Sequence, residues 1–288
     1  MNEASLMPVT PEPASRIRTV LEYGSLPDDE LASAAEEAVR RDAVVTILGF
    51  PGGAVALEQF VRRWGEPMRR GGSSAAPSTP WIGDVRFRPD IESAERLPTQ
   101  TFRELEFHTA RSFERVRPRL FAMLMVDPGW TDEPAGQNGE SLLLRWKVAA
   151  EELRAAFPGS AEADLNRLTS TPVAYRPWYV QKEVAEEPLL RRLPDGDIEC
   201  RYWQGTLETL REQQDEIPDG ARFLSALERW DRIVQSGRGA IEYSMQAGQL
   251  TLLDNRRVAH ARRPFRQARS SDGQTVANPR HMFTAHLR

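Results

Sequence analysis

The N-terminal part of the chain alternates between helix-like and strand-like spacing of apolar residues. Residues 25–30 (SLPDDE) place a capping serine, a proline and acidic residues before an amphipathic run, which predicts a helix near 28–41. The β-branched run 43–50 ends at a Pro-Gly-Gly turn and predicts a strand, and the apolar spacing of 56–65 predicts the next helix. Residues 69–80 have the composition of a loop.

Short strands are predicted again further along, with helices between them. The apolar patches LEFH and RLFAMLMV fall within residues 102–126, and the second is typical of a buried strand. Helical spacing over 145–168 opens with LLRWKVAAEELRAAF and resumes after Pro158-Gly159 behind Ser160 as a cap. The remaining pattern predicts two strand-like stretches, a helix, and two strands joined at Ala247-Gly248, in the segments VAYRPWYVQ, IECRYW, ARFLSALERWDRIVQ and IEYSMQAGQLTLLDNRRVAH.

This order of elements predicts the fold class. Many short strands, with helices before and between them, favour a mainly β fold with helices (α+β), a barrel or jelly roll, over an alternating parallel α/β fold. A chain of 288 residues that is 40% hydrophobic can bury one large core, so we predict a single domain over 1–288. Residues 1–20 are predicted to be flexible, and 143–195 to form a helical insertion.

Composition and charge exclude several classes of protein. The single Cys200 excludes an intramolecular disulfide and a cysteine-built metal site, and it favours a reducing compartment, predicted to be the cytoplasm. No apolar run approaches the roughly 18 residues of a membrane span. The net charge of -4 and the lack of a base-reading motif predict no nucleic-acid partner. No nucleophile elbow, phosphate-binding glycine loop or HExxH zinc motif is present.

Two histidine segments carry a resemblance to a known family. LEFHTARSF, around His108, resembles the HTD-x-SF or HTE segment of the taurine dioxygenase and clavaminate synthase-like family. LTLLDNRRVAHAR, which ends just after His260, resembles that family's distal-histidine segment, GDLxxxDNRRVxHGR. Between them, Gly139-Glu140-Ser141 resembles the family's GGET turn, and residues 45–67 resemble its N-terminal element. The resemblance runs from about residue 43 to residue 288.

Membership of this family, part of the iron(II)- and 2-oxoglutarate-dependent oxygenase superfamily, would imply a fold and a set of ligands. The fold would be a double-stranded β-helix (jelly-roll, cupin-like), with iron(II) bound by His108 and His260 and with 2-oxoglutarate and O2 as cosubstrates. Arg280 is the best match for the arginine that holds the cosubstrate carboxylate, with Arg262 as its competitor, and Ser141 stands at the family's threonine. The spacing from His260 to Arg280 is longer than usual in the family. His281 and His286 are expected to be structural or surface residues.

Ala110 departs from the family pattern. The facial triad of a non-haem iron oxygenase needs two histidines and one carboxylate, and in a strand the carboxylate would stand two residues after His108, on the same face. Alanine cannot bind iron. In the radical halogenases that the segment resembles, Ala or Gly at this position makes room for chloride. The sequence therefore predicts a halogenase that chlorinates an unactivated aliphatic C–H of a small natural-product precursor, such as an amino acid or a nucleotide-like molecule.

Three alternatives stay open at this point. The first is a hydroxylase or desaturase in which water or another carboxylate completes the iron shell, the candidates being Glu104, Glu106 on the predicted strand face of His108, and Glu114. The second is an engineered variant in which a native Asp or Glu was replaced by Ala110. The third is a binding protein that kept the fold and lost the metal.

Residues outside the two motifs bear on the substrate, predicted to be a small molecule. The loop 69–80 and the insertion 145–195 lie where the superfamily varies its substrate contacts, and Trp81 and Trp178 are candidates for pocket-lining side chains. An anionic substrate is permitted by a surplus of arginine, at positions 69, 70, 262, 263 and 266.

Overall fold

The computed structural model describes residues 19–70, 75–76, 78–92, 97–112, 114–176, 186–271 and 273–288. Its α-helices are α1 (Asp28–Asp42), α2 (Ala54–Val61), α3 (Trp146–Ala156), α4 (Ala161–Ser170), α5 (Thr206–Glu212) and α6 (Gly220–Ser236). Its strands are β1 (Val20–Glu22), β2 (Val44–Leu48), β3 (Ala75–Ala76), β4 (Thr79–Arg86), β5 (Leu105–His108), β6 (Leu120–Asp127), β7 (Ser141–Arg145), β8 (Pro172–Ala174), β9 (Glu186–Pro188), β10 (Leu190–Arg192), β11 (Ile198–Cys200), β12 (Ile241–Tyr243), β13 (Leu250–Asp254), β14 (Val258–Arg262), β15 (Ala268–Ser271), β16 (Gln274–Ala277) and β17 (His281–Leu287).

Two sheets form the centre of the described part of the chain. The larger has the strand order β1-β2-β13-β6-β17-β4-β3, and the smaller has the order β12-β7-β14-β5. Only β1 and β2 pair in parallel within these two sheets as described. Because β13 lies between β2 and β6, the larger sheet requires the N-terminal and C-terminal parts of the chain to meet.

The alternation of side chains along β6 shows how the layers are arranged. Leu120 and Leu124 point outward and pack in one apolar cluster with residues of α1 and α2. Phe121 and Met123 point to the opposite face, where they share a second cluster with Leu143 of the smaller sheet. The larger sheet is therefore covered by the N-terminal helices on one face and by the smaller sheet on the other.

A helical layer covers the outer face of the smaller sheet. Leu142 and Leu144 of β7 and Ala259 of β14 join a cluster with the apolar faces of α3, α4 and α6. Trp146 and Trp230, from α3 and α6, are fully buried in this cluster, with their ring centroids 5.9 Å apart. The strand residues that alternate with Leu142, Leu144 and Ala259 consequently face the larger sheet, and His260 is one of them.

The predicted fold class is confirmed: a mainly β, jelly-roll core carries N-terminal and central helices. The predicted helices near 28–41, 56–65 and 221–235 and the strands within 43–50, 105–108 and 119–126 are present, with shifted ends. None of the helices in the described residues combines the length and hydropathy that a membrane crossing requires. The predicted flexibility of residues 1–20 falls almost wholly outside the described residues.

Some element boundaries were predicted wrongly. Leu143, Leu144 and Arg145, placed in a helix by their apolar spacing, belong to β7, because a buried strand and a buried helix look alike in a short apolar run. Ser160 does occupy the position before α4, although its hydroxyl makes no capping bond there. Before α1 the capping position is held by Pro27, and the Ser25 hydroxyl instead donates to the Glu22 carbonyl at 2.6 Å.

The segment around Ala247-Gly248 was also predicted wrongly as two strands. It forms three, and β12 and β13 belong to different sheets, so the chain crosses between the layers at this point. The pattern did not separate β14 from β13, because the turn between them is polar but short. The elements that the pattern missed are α5, β1, β3, β4, β9, β10, β15, β16 and β17, of which β3 and the start of β4 lie in the predicted loop 69–80.

Candidate active site

A cavity of about 230 Å³ lies between the two sheets. Side chains of β4, β6 and β17 line it from the larger sheet, and side chains of β5, β7 and β14 line it from the smaller one. The cavity is strongly basic: its lining includes four arginines and three histidines, and no Asp or Glu among the described residues. This composition favours ligands with negative charge.

His108 and His260 are brought together by the pairing of β5 with β14. They are direct partners in the antiparallel register, and their ring centroids are 4.2 Å apart. The Nδ1–H of His108 donates to the Glu106 carbonyl at 2.8 Å, so Nε2 is the nitrogen that carries the lone pair in the neutral ring. The Nδ1 of His260 is buried and has no hydrogen-bond partner within the described structure.

Both imidazoles are in the electronic state that a metal requires. Burial is the main cause that lowers the pKa of each ring, and for His260 the neighbouring His108 lowers it further. The rings are consequently neutral at pH 7, and a neutral imidazole nitrogen is the form that binds a metal. The buried, unpartnered nitrogen of His260 beside the neutral ring of His108 fits a divalent metal. Within the described ranges, no third His, Cys, Asp or Glu completes a ligand group around them.

Ala110 lines the same cavity from the turn that follows β5. The prediction that placed it on the strand was wrong, because β5 ends at His108 and Arg111 has a left-handed backbone with φ of 54°. Asn255 fixes its position from the turn before β14. The Ala110 N–H donates to Asn255 Oδ1 at 2.8 Å, and Asn255 Nδ2 donates to the carbonyls of Ala110 at 3.0 Å and Pro118 at 3.1 Å.

Replacing Asn255 with alanine is expected to destabilise the protein by about 3 kcal/mol, because each of three buried hydrogen bonds contributes about 1 kcal/mol and their partners would be left unpaired. The measurement is the free energy of unfolding in urea. As a matched control, Asn166→Ala removes an amide that is exposed and bonds Arg192, and should change this free energy by less than about 0.5 kcal/mol. Equal stability of the two variants would contradict the role assigned to Asn255.

Arg280 and Arg262, the two candidates for the cosubstrate carboxylate, are both buried and both line the cavity. Arg280 donates from Nη2 to the Gly139 carbonyl at 3.1 Å. Arg262 donates to the carbonyls of Thr101 at 2.8 Å and Arg103 at 2.7 Å, and its Nε is buried without a partner. Burial lowers the pKa of Arg280 to about 10, and burial followed by the proximity of Arg280 lowers that of Arg262 to about 9.

Neither guanidinium has an ion-pair partner among the described residues. An anion bound between them would therefore offset the free-energy cost of burying the two positive charges. Ser141, at the start of β7, adds a hydroxyl to the same wall of the cavity. The long spacing from His260 to Arg280 has a simple cause: the hairpin of β15 and β16 is inserted between them.

The carboxylates considered as replacement ligands do not line the cavity. A bulge between His260 and Arg262 puts Leu105 and His108 on the cavity side, so Glu106 lies outside, in a separate pocket with Glu104. The prediction that Glu106 shares the face of His108 was wrong for this reason. Glu104 pairs with Arg263 at 3.3 Å.

Glu114, the third carboxylate considered, pairs with Arg111 at 2.5 Å. Arg263 and Arg266 have carboxylate partners of their own, Glu242 and Glu133 respectively, and do not line the cavity. Trp81 also lies outside it, with the Arg62 guanidinium 5.6 Å from its ring, and Trp178 lies outside the described residues.

His286 was predicted to be structural or at the surface, but it is buried and lines the cavity. Its ring centroid lies 5.0 Å from that of Phe121, and the Phe121 ring lies 4.6 Å from that of His260. His281 keeps the structural role predicted for it, with its Nε2 2.9 Å from Asp84 Oδ1. Period-two spacing along β17 could have revealed His286, had that strand been recognised.

Comparison with known proteins places this geometry in context. The family model for "Taurine catabolism dioxygenase TauD, TfdA family" matches residues 8–286. A search of curated proteins gave no significant match. A taurine dioxygenase from Burkholderia xenovorans has a TM-score of 0.60 at 16% identity, with 93% of this chain and 85% of that chain covered.

Two further solved structures carry small molecules. An asparagine oxygenase in complex with Fe(II), 2S,3S-3-hydroxyasparagine and succinate has a TM-score of 0.55 at 17% identity, covering 92% of this chain and 86% of that chain. A mutant of the non-heme iron oxygenase OrfP in complex with (3S)-hydroxy-L-Arg has a TM-score of 0.58 at 18% identity, covering 91% and 80%. At these identities the likeness shows the fold alone.

The family match, in contrast, spans nearly the whole sequence. It agrees with the paired histidines and the basic cavity between the two sheets. The enzyme class and the cofactors expected from the sequence, iron(II) and 2-oxoglutarate with O2, are those of this family, and its members are oxidoreductases. The chain therefore belongs to the taurine catabolism dioxygenase TauD, TfdA family.

Proposed function

We propose that this enzyme is an iron(II)- and 2-oxoglutarate-dependent halogenase, with chloride taking the coordination position that Ala110 leaves open. His108 and His260 would bind the iron, and Ser141 with Arg262 and Arg280 would bind 2-oxoglutarate. The observation that supports halogenation is that the Ala110 methyl group lines the same cavity as the paired histidines, where the family resemblance calls for a carboxylate, while the described lining offers no Asp or Glu.

The chain's own residues would bind and orient the reactants. Arg262 and Arg280 offer two planar guanidinium groups to a carboxylate, which suits bidentate binding. The two hydrogen bonds from Asn255 to the backbone of Ala110 would hold this residue in place, so that its methyl group stays at the cavity wall. Phe121 and Met123 provide apolar walls that exclude water from the reacting carbon.

Iron(II), 2-oxoglutarate and O2 supply, when bound together, the oxidant that removes hydrogen from an unactivated C–H bond. In the overall reaction R–H, 2-oxoglutarate, O2, chloride and a proton give R–Cl, succinate, CO2 and water. Two electrons come from the substrate carbon and two from the keto acid. The chain decides between chlorine and hydroxyl by holding the carbon nearer to one than to the other.

Hydroxylation is the second candidate function, with water at the open coordination position. It is favoured by the similarity to the asparagine oxygenase structure, which holds a hydroxylated amino acid and succinate. A hydroxylase whose third iron ligand is a carboxylate has less support, because the candidates Glu104, Glu106 and Glu114 lie outside the described cavity lining. The adjacent, neutral imidazoles of His108 and His260 argue against a binding protein that has lost its metal, because they are the form that binds a metal.

The experiment that separates the two functions is a chloride titration of the anaerobic complex of the enzyme with iron(II) and 2-oxoglutarate. For a halogenase we expect chloride to shift the metal-to-ligand charge-transfer band and to tighten cosubstrate binding at least several-fold. The matched titration uses nitrate at equal ionic strength, which controls for screening. A complex that forms but gives the same response to both salts would contradict halogenation and leave hydroxylation as the function.

A further inference from the structure

The ring of Phe265 lies behind the two arginines that line the cavity near Ser141. The guanidinium carbon of Arg262 is 4.9 Å from the centroid of this ring, and that of Arg280 is 5.6 Å from it. Both distances are within the roughly 6 Å at which a cation is attracted to an aromatic face. Phe265 is buried and does not line the cavity, so any role it has in binding is exerted through the arginines.

Few other groups stabilise these two buried charges. Arg262 donates to two backbone carbonyls and Arg280 donates to one. Burial lowers the pKa of Arg280 more than the nearby charge of Glu140 raises it. The Glu140 carboxylate itself accepts two backbone N–H groups of its own turn, at 2.9 and 3.0 Å. The ring of Phe265 is therefore the contact that the two guanidinium groups share.

An aromatic ring stabilises a guanidinium group without occupying its hydrogen-bond donors. A carboxylate partner in the protein would engage those donors and compete with an anionic ligand, whereas the ring attracts the cation through its negative face. Within the described residues, Nη1 of Arg262 and Nη1 of Arg280 form no hydrogen bond. Both side chains line the cavity, so these donors can bind a carboxylate while the ring holds the two groups.

Backbone contacts fix the position of the ring itself. The Phe265 N–H donates to the Phe102 carbonyl at 3.0 Å, and Phe265 forms an isolated β-bridge with Asn138. The next residue, Gly139, leaves space for both partners: a Cβ there would lie 2.7 Å from Arg280 Nε and 3.4 Å from Phe265 Cδ1. The ring and the Arg280 side chain consequently pack against the same glycine, which limits how far either can move.

We propose that Phe265 is a positioning residue for the cosubstrate: the face of its ring holds the guanidinium groups of Arg262 and Arg280 in place for one carboxylate. This inference rests on the proposed function, because it takes these arginines as the binding site of 2-oxoglutarate. Side chains that are ordered before the ligand arrives lose less conformational entropy when it binds. Loss of the ring should therefore weaken the contribution of both arginines together.

The test compares two dianions, 2-oxoglutarate and oxalate, by calorimetry on the anaerobic iron(II) complex in chloride-free buffer. Oxalate can chelate a metal but lacks the carbon chain that carries the distal carboxylate of 2-oxoglutarate. Phe265→Leu is expected to weaken 2-oxoglutarate binding about tenfold, which is about 1.4 kcal/mol, and to change oxalate binding by less than about twofold. In turnover, KM for 2-oxoglutarate should rise by the same factor while kcat at saturation is retained.

Two further proteins separate the effect of the ring from a general loss of packing. Phe223→Leu makes the same truncation in the buried helical layer, away from the cavity lining, and should leave the affinity for 2-oxoglutarate unchanged. Replacing Phe265 with trifluorophenylalanine keeps the shape of the ring but removes the negative charge from its face. This protein should fold normally and bind 2-oxoglutarate about threefold more weakly, without a change in oxalate binding.

The inference is wrong if the fluorinated ring supports 2-oxoglutarate binding as well as the natural ring does, whatever the effect of Phe265→Leu. It is also wrong if oxalate binding falls by the same factor, because the change would then reach the metal ligands. Failure of the proposed cosubstrate site gives a different result, in which Arg262→Gln and Arg280→Gln leave 2-oxoglutarate binding unchanged. The role of Phe265 stands for chlorination and for hydroxylation alike, since both reactions use this cosubstrate.

Discussion

His260→Ala is expected to reduce the affinity for iron(II) by more than about 100-fold and to abolish turnover of 2-oxoglutarate. Loss of even an outer-sphere partner of a metal ligand costs about 10- to 100-fold in affinity, and this change would remove a ligand itself. The His260 ring packs between those of His108 and Phe121, at 4.2 and 4.6 Å, so the truncation leaves a small cavity. It also removes a buried nitrogen that has no partner in the described structure.

The two effects on stability oppose each other, so the unfolding free energy of His260→Ala should change by no more than about 2 kcal/mol. Iron affinity is measured by anaerobic titration of iron(II), with unfolding in urea as the check that the variant folds. His281→Gln is the matched control: that histidine bonds Asp84 and lies outside the cavity lining, so iron affinity should be retained. A folded His260→Ala protein with undiminished affinity would show that the metal binds elsewhere.

Ala110→Asp is the second change with a large expected effect. The side chain of residue 110 already faces the cavity, and its backbone is held by Asn255, so a carboxylate there would lie beside His108 and His260. Two histidines and one carboxylate make the facial triad of non-haem iron oxygenases. The variant should bind iron(II) at least tenfold tighter and should lose any response to chloride.

The response to chloride is measured as the shift of the metal-to-ligand charge-transfer band of the complex with iron(II) and 2-oxoglutarate. The products are identified by mass spectrometry once a substrate is known. Ala110→Leu serves as the control, since it fills the same space without supplying a ligand, and it should weaken chloride binding without tightening iron. If Ala110→Asp keeps the full response to chloride, chloride does not occupy the position beside residue 110. Halogenation by the proposed arrangement would then be excluded.

The pairing of His108 with His260 was predictable because two local motifs mark the ends of the site, each with its own recognisable sequence. Their adjacency follows from the fold, in which β5 and β14 are neighbours. Arg280, Arg262 and Ser141 were found by the same route, and all of them line the cavity. The sequence could not decide between the two arginines, and the structure brings both into the site.

Other residues of the site could not have been found in this way. The face of Glu106 depends on a bulge in β5, and a single inserted residue in a strand reverses which side chains point inward. β17 reads HMFTAHL, and its inward positions include the polar Thr284 and His286, so it lacks the apolar alternation expected of a buried strand. Arg70 lies at the edge of a loop-like segment, where composition alone gives no direction to a side chain.

The contact between Asn255 and Ala110 joins residues that are 145 positions apart. We expect contacts of such high sequence separation to form late in folding, because the entropy of closing the loop between them must first be overcome. The two halves of the histidine pair therefore meet only when most of the chain is already ordered. Iron added during refolding should act as a ligand of the finished protein, which it stabilises by mass action, and it cannot serve as the nucleus around which the chain folds.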